Sequence, residues 1–416
     1  MIRIASDKRS WCLCGLLTLL SVGQVFAQRS ADTVDIVKSP WTEINVGAFS
    51  GTDATAARAL LVTNLQISGW FKPVNRASDL IPQVRAALTK TAGGWELQGQ
   101  VVQGTEVLLA KRYTDAQESV FNRLIHSFAN DIIQALVREK GFAGSQILCS
   151  YTPQGARAPK KGKPIPKELA IFDCDGGRFR QLTQDNSLSL SPKWSPNGSK
   201  FVYTTHMRYY PDLVVVDVAT RNRTRVSAHA GLNVHGAISP DGRKLAMILS
   251  RDGAPELYTQ DLMGGNLKRL TWDKAVEASP TWAPDGRSIV YTSDLSGTPQ
   301  LYRIGIEGGK GQRLTRSGTD NNAPEWSHVS NRIVYTSRRG GHYQICVLDP
   351  ASGQEIQKTR DPVDHEDPAW GPNGRHVVYV KKQSGRSSIQ ILDTETGFEI
   401  GLSPAAGNFY TPHWAP

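Results

Sequence analysis

Cysteine is scarce in this chain: five in 416 residues, at positions 12, 14, 149, 174 and 346. No two form a C-x-x-C pair, and no H-x-x-x-H pair occurs among the nine histidines, so a compact zinc motif is missing. No G-x-S-x-G elbow is present, which removes the usual mark of a serine hydrolase. Beyond residue 27 no apolar run reaches the ~20 residues that a spanning helix needs, which excludes a polytopic membrane protein. What is present is ordinary for a globular protein: 39% hydrophobic and 21% charged residues. The length suggests two or three domains at about 150 residues each. Gly (38) and Pro (23) together supply 61 residues, so turns are frequent, and ten Trp is a high count.

Residues 1–27 differ from the rest. Arg3, Lys8 and Arg9 precede an apolar run from Trp11 to Leu20, and Val25-Phe26-Ala27 follows. This is the pattern of a secretory signal peptide cleaved after Ala27. Neither Cys12 nor Cys14 has the Leu-small-small context of a lipidated cysteine. Cleavage removes three bases and one acid, taking the net charge from +10 to 10 − 2 = +8. Cys149, Cys174 and Cys346 remain, an odd number and no disulfide framework. Cys149 and Cys174 lie on consecutive predicted strands, which leaves a disulfide and two buried thiols both open.

A phrase then recurs. Ser191-Pro192-Lys193-Trp194-Ser195-Pro196-Asn197-Gly198 returns as Ser279-Pro280-Thr281-Trp282-Ala283-Pro284-Asp285-Gly286, with related forms at Trp326, Trp370 and Trp414. A sixth copy carries Ile238 in place of Trp, and all six marks are 44 residues apart. Such a period signals a repeat architecture. Each unit reads as four strands. Strand A carries the Trp, a Pro-Asn-Gly or Pro-Asp-Gly turn leads to apolar strand B, and strands C and D follow. Four short strands per unit match a propeller blade. The last mark, at Trp414, has no strands after it, whereas 145–151 reads as a strand B with no strand A before it. The expected fold is therefore mixed: a small N-terminal α/β domain (28–142), then an all-β six-bladed propeller (145–416) closed by pairing the C-terminal strand with the first blade. Closure removes exposed sheet edges.

In the N-terminal part, 34–37 and 44–49 read as strands, and Trp95–Arg112 as a hairpin around Gly104. Asp53–Gly69 reads as a helix with Ala57, Leu60, Leu61 and Leu65 on one face. Asp115-Ala116-Gln117-Glu118 resembles a capping box before a second amphipathic helix that begins near Phe121 and stops at Gly141. Gly141 to Gly144 reads as a hinge.

An exported α/β domain followed by six blades with S-P-x-W-S-P-[DN]-G marks resembles the TolB family, the periplasmic component of the Tol-Pal system of Gram-negative bacteria. The pattern Asp173-Cys174-Asp175-Gly176 through Arg180-Gln181-Leu182-Thr183 is also similar to the family's. Ile238 in place of Trp, and His328-Val329-Ser330-Asn331 in place of Pro-Asp-Gly, are departures that affect single marks. The resemblance implies a non-enzymatic, monomeric scaffold for outer-membrane integrity and cell division, peripheral to the membrane through its partners. It would bind Pal, the peptidoglycan-associated lipoprotein, at the propeller mouth. It would bind the inner-membrane-anchored TolA through the segment after cleavage, here Ala31, Asp32, Thr33, Val34, Asp35 and Ile36, by strand addition. Other outer-membrane proteins are further partners to be expected.

At the mouth, loops before strand A are expected to contribute His235, Glu277, Asn321, Asn322, His365, Glu366 and Phe409. B–C loops add Tyr209, Tyr210, Arg338 and Arg339, aromatic and Arg side chains being favoured anchors. No cofactor is expected, although Glu277, Asp320, Glu325, Asp364, Glu366 and Asp367 offer oxygen ligands for Ca²⁺ around the channel. The alternative is a propeller lyase or hydrolase with a metal held by channel-mouth histidines, drawn from His206, His235, His342, His365 and His413. The basic run Arg157, Lys160, Lys161, Lys163 and Lys167 lacks interleaved aromatics, which argues against nucleic acid as a partner.

Overall fold

The computed structural model describes residues 41–116 and 121–416. The expected signal peptide, the strand at 34–37, the proposed TolA-binding segment Ala31–Ile36 and the capping-box residues Gln117 and Glu118 lie outside the described residues.

The N-terminal module is a mixed sheet with two helices. Its strands are β1 (Thr42–Val46), β2 (Ser50–Gly51), β3 (Phe71–Val74), β4 (Gln83–Thr91), β5 (Gly94–Gln103) and β6 (Glu106–Asp115). They are ordered β3-β1-β4-β5-β6, with β2 on β4. Helix α1 (Ala54–Ile67) buries Ala57, Leu61 and Leu65, and Leu60 is half-buried beside them. Helix α2 (Asn122–Leu136) buries Leu124, Ile125, Phe128, Ile132 and Ile133, the face its apolar spacing defines. Gly99 lets the sheet approach this helix, since a Cβ there would stand 2.6 Å from the Phe128 ring. Helix α2 stops at Leu136, earlier than Gly141, because Arg138 adopts a left-handed φ of 64°. Strands β3 and β4 escaped the sequence reading; β3 has only four residues and contains Pro73.

Six four-stranded antiparallel sheets follow. Blades I to VI are numbered from the one containing Gln146–Pro153. In blade IV the strands are Glu277–Trp282, Ser288–Ser293, Gln300–Gly305 and Gln312–Arg313. In blade I the last strand of the chain, Gly407–Trp414, pairs antiparallel with Gln146–Pro153. The mark residues Trp194, Ile238, Trp282, Trp326, Trp370 and Trp414 are all buried between blades. Cys149, Cys174 and Cys346 are free, buried thiols.

The N-terminal module rests on blades I and VI, at the face formed by A–B and C–D loops. His376 Nε2 lies 3.0 Å from the Ser68 carbonyl, and its ring packs edge-on against Trp70 and tilted against Phe142. Arg375 stacks over Trp70 and forms two hydrogen bonds with Asp393 at 2.7 and 2.8 Å. Asp175 accepts from Asn64 Nδ2 at 3.1 Å and lies 3.0 Å from His126 Nε2. Burial would raise the Asp175 pKa, but the His126 contact and the Gly177 N–H outweigh it and hold the carboxyl below its usual value. The expected hinge at 141–144 is packed: Phe142 is buried against Trp414, and the Ala143 N–H donates to Asn130 Oδ1 at 2.9 Å.

Candidate functional site

Strand A lines the central channel in every blade and carries the same irregularity each time. Its pairing with strand B shifts register, as between Leu190 and Lys193, and two residues of A face one of B. The residue three before the mark takes a left-handed φ: Ser191 49°, His235 55°, Ser279 47°, Ala323 47°, Asp367 54° and Thr411 44°. In five blades Pro follows it, for Pro fits a bulge where a ladder hydrogen bond is already missing. The residue just before the mark then links neighbouring blades. The Trp194 N–H donates to His413 Nδ1 at 3.3 Å, Trp326 N–H to Thr281 Oγ1 at 3.2 Å and Trp370 N–H to Glu325 Oε1 at 3.2 Å.

The channel is charged at its waist. Lys193 donates to the Pro280 carbonyl at 3.1 Å, and His413 Nε2 lies 3.4 Å from Glu325 Oε2. Burial pushes Glu325 up to about 7, opposed by the Lys193 charge, and Asp367 up to about 6, helped by Glu366. Burial, with the Lys193 charge second, pushes His235 down to about 4 and His413 down to about 3. Beyond the waist, a cavity of about 240 Å³ opens toward the A–B loops, between Lys193, the mark Trp residues and His328.

The B–C and D–A loops form the opposite face, the mouth. Tyr209 is 91% exposed and Tyr210 44%, their rings edge to face at 4.8 Å. Arg338 is exposed, with its guanidinium 5.9 Å from the Tyr343 ring centre, and Tyr343 donates its hydroxyl to Asp320 at 2.8 Å. Asn322 donates to Asp320 at 2.8 Å, and Glu366 is paired with Lys382. Arg339 turns back to Glu355 at 3.3 Å.

Five of the expected mouth residues lie elsewhere. Glu277, Asn321, His365 and Phe409 are at most 3% exposed. They occupy one repeat position, five residues before the mark and among the first three of strand A, and the bulge turns it toward strand C of the preceding blade. They therefore build the seams between blades and offer no contact surface. His235 lines the channel bore and does not reach the mouth. The histidines do not converge either. His206 follows strand B of blade II, His342 opens strand C of blade V, and His365 is grouped with Asp361 and Glu399 where blade VI begins. Sequence reasoning also missed apolar side chains at the mouth: Met207, Trp272, Val276 and Leu295 are all at least half exposed. Their signal was an apolar residue inside a turn-rich loop, where no strand or helix period accounts for it.

Six blades around a charged channel, with an α/β module seated behind the ring, define a β-propeller scaffold. A family model described as the TolB beta propeller domain matches residues 149–416. The crystal structure of TolB from Acinetobacter baumannii is similar with a TM-score of 0.81 at 26% identity, covering 90% of this chain and 96% of that one. The Tol-Pal system protein TolB of Ruegeria sp. is 31% identical over 250 residues, 53% of this chain and 55% of its own. A TolB homolog from Chlorobium chlorochromatii is 33% identical over 142 residues, 34% of this chain and 30% of its own. The matches thus span about half or less of these curated relatives' length. The chain belongs to the TolB propeller family.

Proposed function

We propose that this protein is a non-enzymatic, periplasmic scaffold of the Tol-Pal system. It binds the lipoprotein Pal at the mouth and TolA through the segment near Ala31–Ile36, and so links the outer-membrane and inner-membrane parts of the envelope machinery in support of outer-membrane integrity and cell division. The observation that carries this reading is the likeness to a TolB structure across 90% of the chain, N-terminal module included. The mouth supports it. Tyr209, Tyr210, Met207 and Arg338 stand exposed on loops held by a closed ring, and aromatic and Arg side chains dominate binding hot spots. A preformed face loses little freedom on binding.

Replacing Tyr209, Tyr210 and Arg338 together with Ala should leave melting unchanged and weaken binding of a purified Pal lipoprotein by at least about 2 kcal/mol. The matching change behind the ring, at Asn222 and Lys310, should do little. Arg223 is left alone because it holds Asp185 at 3.0 Å. Equal weakening by both sets, or none by the mouth triple, rejects the mouth as the binding face.

A further inference from the structure

At each seam one repeat position near the start of a blade's strand C falls beside the opening of the next blade's strand A. Between blades IV and V this contact is an amide pair, with Asn321 Nδ2 donating to Gln300 Oε1 at 2.8 Å. The 44-residue period puts Glu168 with Ser189, Asp212 with Asn233, Gln344 with His365 and Ser388 with Phe409 at other seams. Only between blades III and IV do two carboxylates meet, Glu256 and Glu277.

Both are sealed in, at 0% and 1% exposure. Glu256 Oε1 is paired with Arg269 Nη2 at 2.5 Å, and Glu277 Oε1 receives a 3.1 Å hydrogen bond from Ser293. The second oxygen of each, Glu256 Oε2 and Glu277 Oε2, is buried with no hydrogen-bond partner. Asp273, in the loop above, brings a third carboxylate, and one ligand oxygen from each of the three lies within 4.8 Å of the others. Burial, then the charges of Asp273, Glu256 and Asp294, push Glu277 up to about 8. A fully ionised set would leave one guanidinium against several acids in a site closed to water, which is costly without a further cation.

We infer that Glu256, Asp273 and Glu277 form a site for a hard divalent cation, Ca²⁺ by preference, in the seam between blades III and IV. The donor set is all oxygen, and its spread is one that an ion with bonds of roughly 2.3–2.6 Å bridges. The ion neutralises the seam and gives the orphaned oxygens a partner. It also ties down the loop that carries Trp272, 74% exposed, and Val276, 50% exposed, at the mouth. The site is separate from the channel carboxylates Glu325 and Asp367, and it does not depend on the proposed partners.

The test uses Tb³⁺ as a luminescent substitute for Ca²⁺, excited through tryptophan, with the full chain. The wild type should show a saturable signal that Ca²⁺ displaces in about the 10⁻⁴–10⁻³ M range of extracellular Ca²⁺ modules. Glu277→Gln keeps shape and restores an amide of the kind found at Asn321; it should fold and weaken binding at least tenfold. Glu325→Gln, in the channel, should leave the displaceable signal intact. Ca²⁺ should also raise the melting temperature of wild type but not of Glu277→Gln. Absence of binding by wild type, equal binding by Glu277→Gln, or loss of the signal only in Glu325→Gln would each overturn the site.

Discussion

Trp414 joins the end of the chain to its middle, and its removal measures what ring closure contributes. The indole is 2% exposed. It packs edge-on against Phe142 at 5.2 Å and donates from Nε1 to Ser145 Oγ at 2.8 Å. A Trp buries about 150–250 Å², which at about 25 cal/mol per Å² amounts to about 4–6 kcal/mol. Residual burial in the unfolded chain lowers this to about 3–5 kcal/mol, the range found for large-to-small core changes. The lost hydrogen bond adds little, because Ser145 Oγ keeps its 2.6 Å bond to the Phe142 carbonyl. Trp414→Ala should therefore cost about 4 kcal/mol, a large part of the total of about 5–15 kcal/mol for a typical fold. Trp414→Phe keeps most of the area and should cost about 1–2 kcal/mol. Trp272→Ala, at an exposed position, should stay within about 0.5 kcal/mol. Urea denaturation followed by far-ultraviolet circular dichroism separates the three. A cost below about 1 kcal/mol for Trp414→Ala, or one equal to that of Trp272→Ala, refutes the closure argument.

Two further predictions concern the docking of the N-terminal module. Asp393 is buried, and although burial alone would raise its pKa, the Arg375 hydrogen bonds prevail and hold it down to about 2. With the folded value below the unfolded one, its stabilisation is fully present above about pH 4 and is lost as the pH falls through about 2. The stability advantage of wild type over Asp393→Asn should therefore shrink across that window in urea titrations at several pH values; a constant gap contradicts the pairing. Second, a propeller fragment beginning at residue 141 retains Phe142 against Trp414 and His376, whereas one beginning at 145 uncovers both. The shorter fragment should melt at a lower temperature or aggregate, and identical melting of the two shows that Phe142 is not part of the ring's core.

The period was legible because the mark, Trp in five blades and Ile238 in the sixth, is buried in each, and burial is what hydrophobic patterning reports. Side-chain direction at the start of strand A was not legible from alternation alone. Glu277 is five residues before Trp282, an odd separation, so a regular strand would turn it away from the Trp face. The bulge inserts one residue, which restores the parity and sends Glu277 to the same face as Trp282. Asn321, His365 and Phe409 follow it for the same reason, and so the set expected on the mouth became the seams. The clue was in the motif. Pro280, Pro324, Pro368 and Pro412 stand two residues before their marks in strands that pair on the B side, and Pro inside a paired strand signals a bulge. Read that way, the S-P-x-W phrase assigns three positions at once: the left-handed residue to the channel, the residue before Trp to the contact between blades, and the opening residue to the seam. Asn321 at that seam position meets an amide and Glu277 meets an acid, so the repeat itself marks the blade pair that carries extra chemistry.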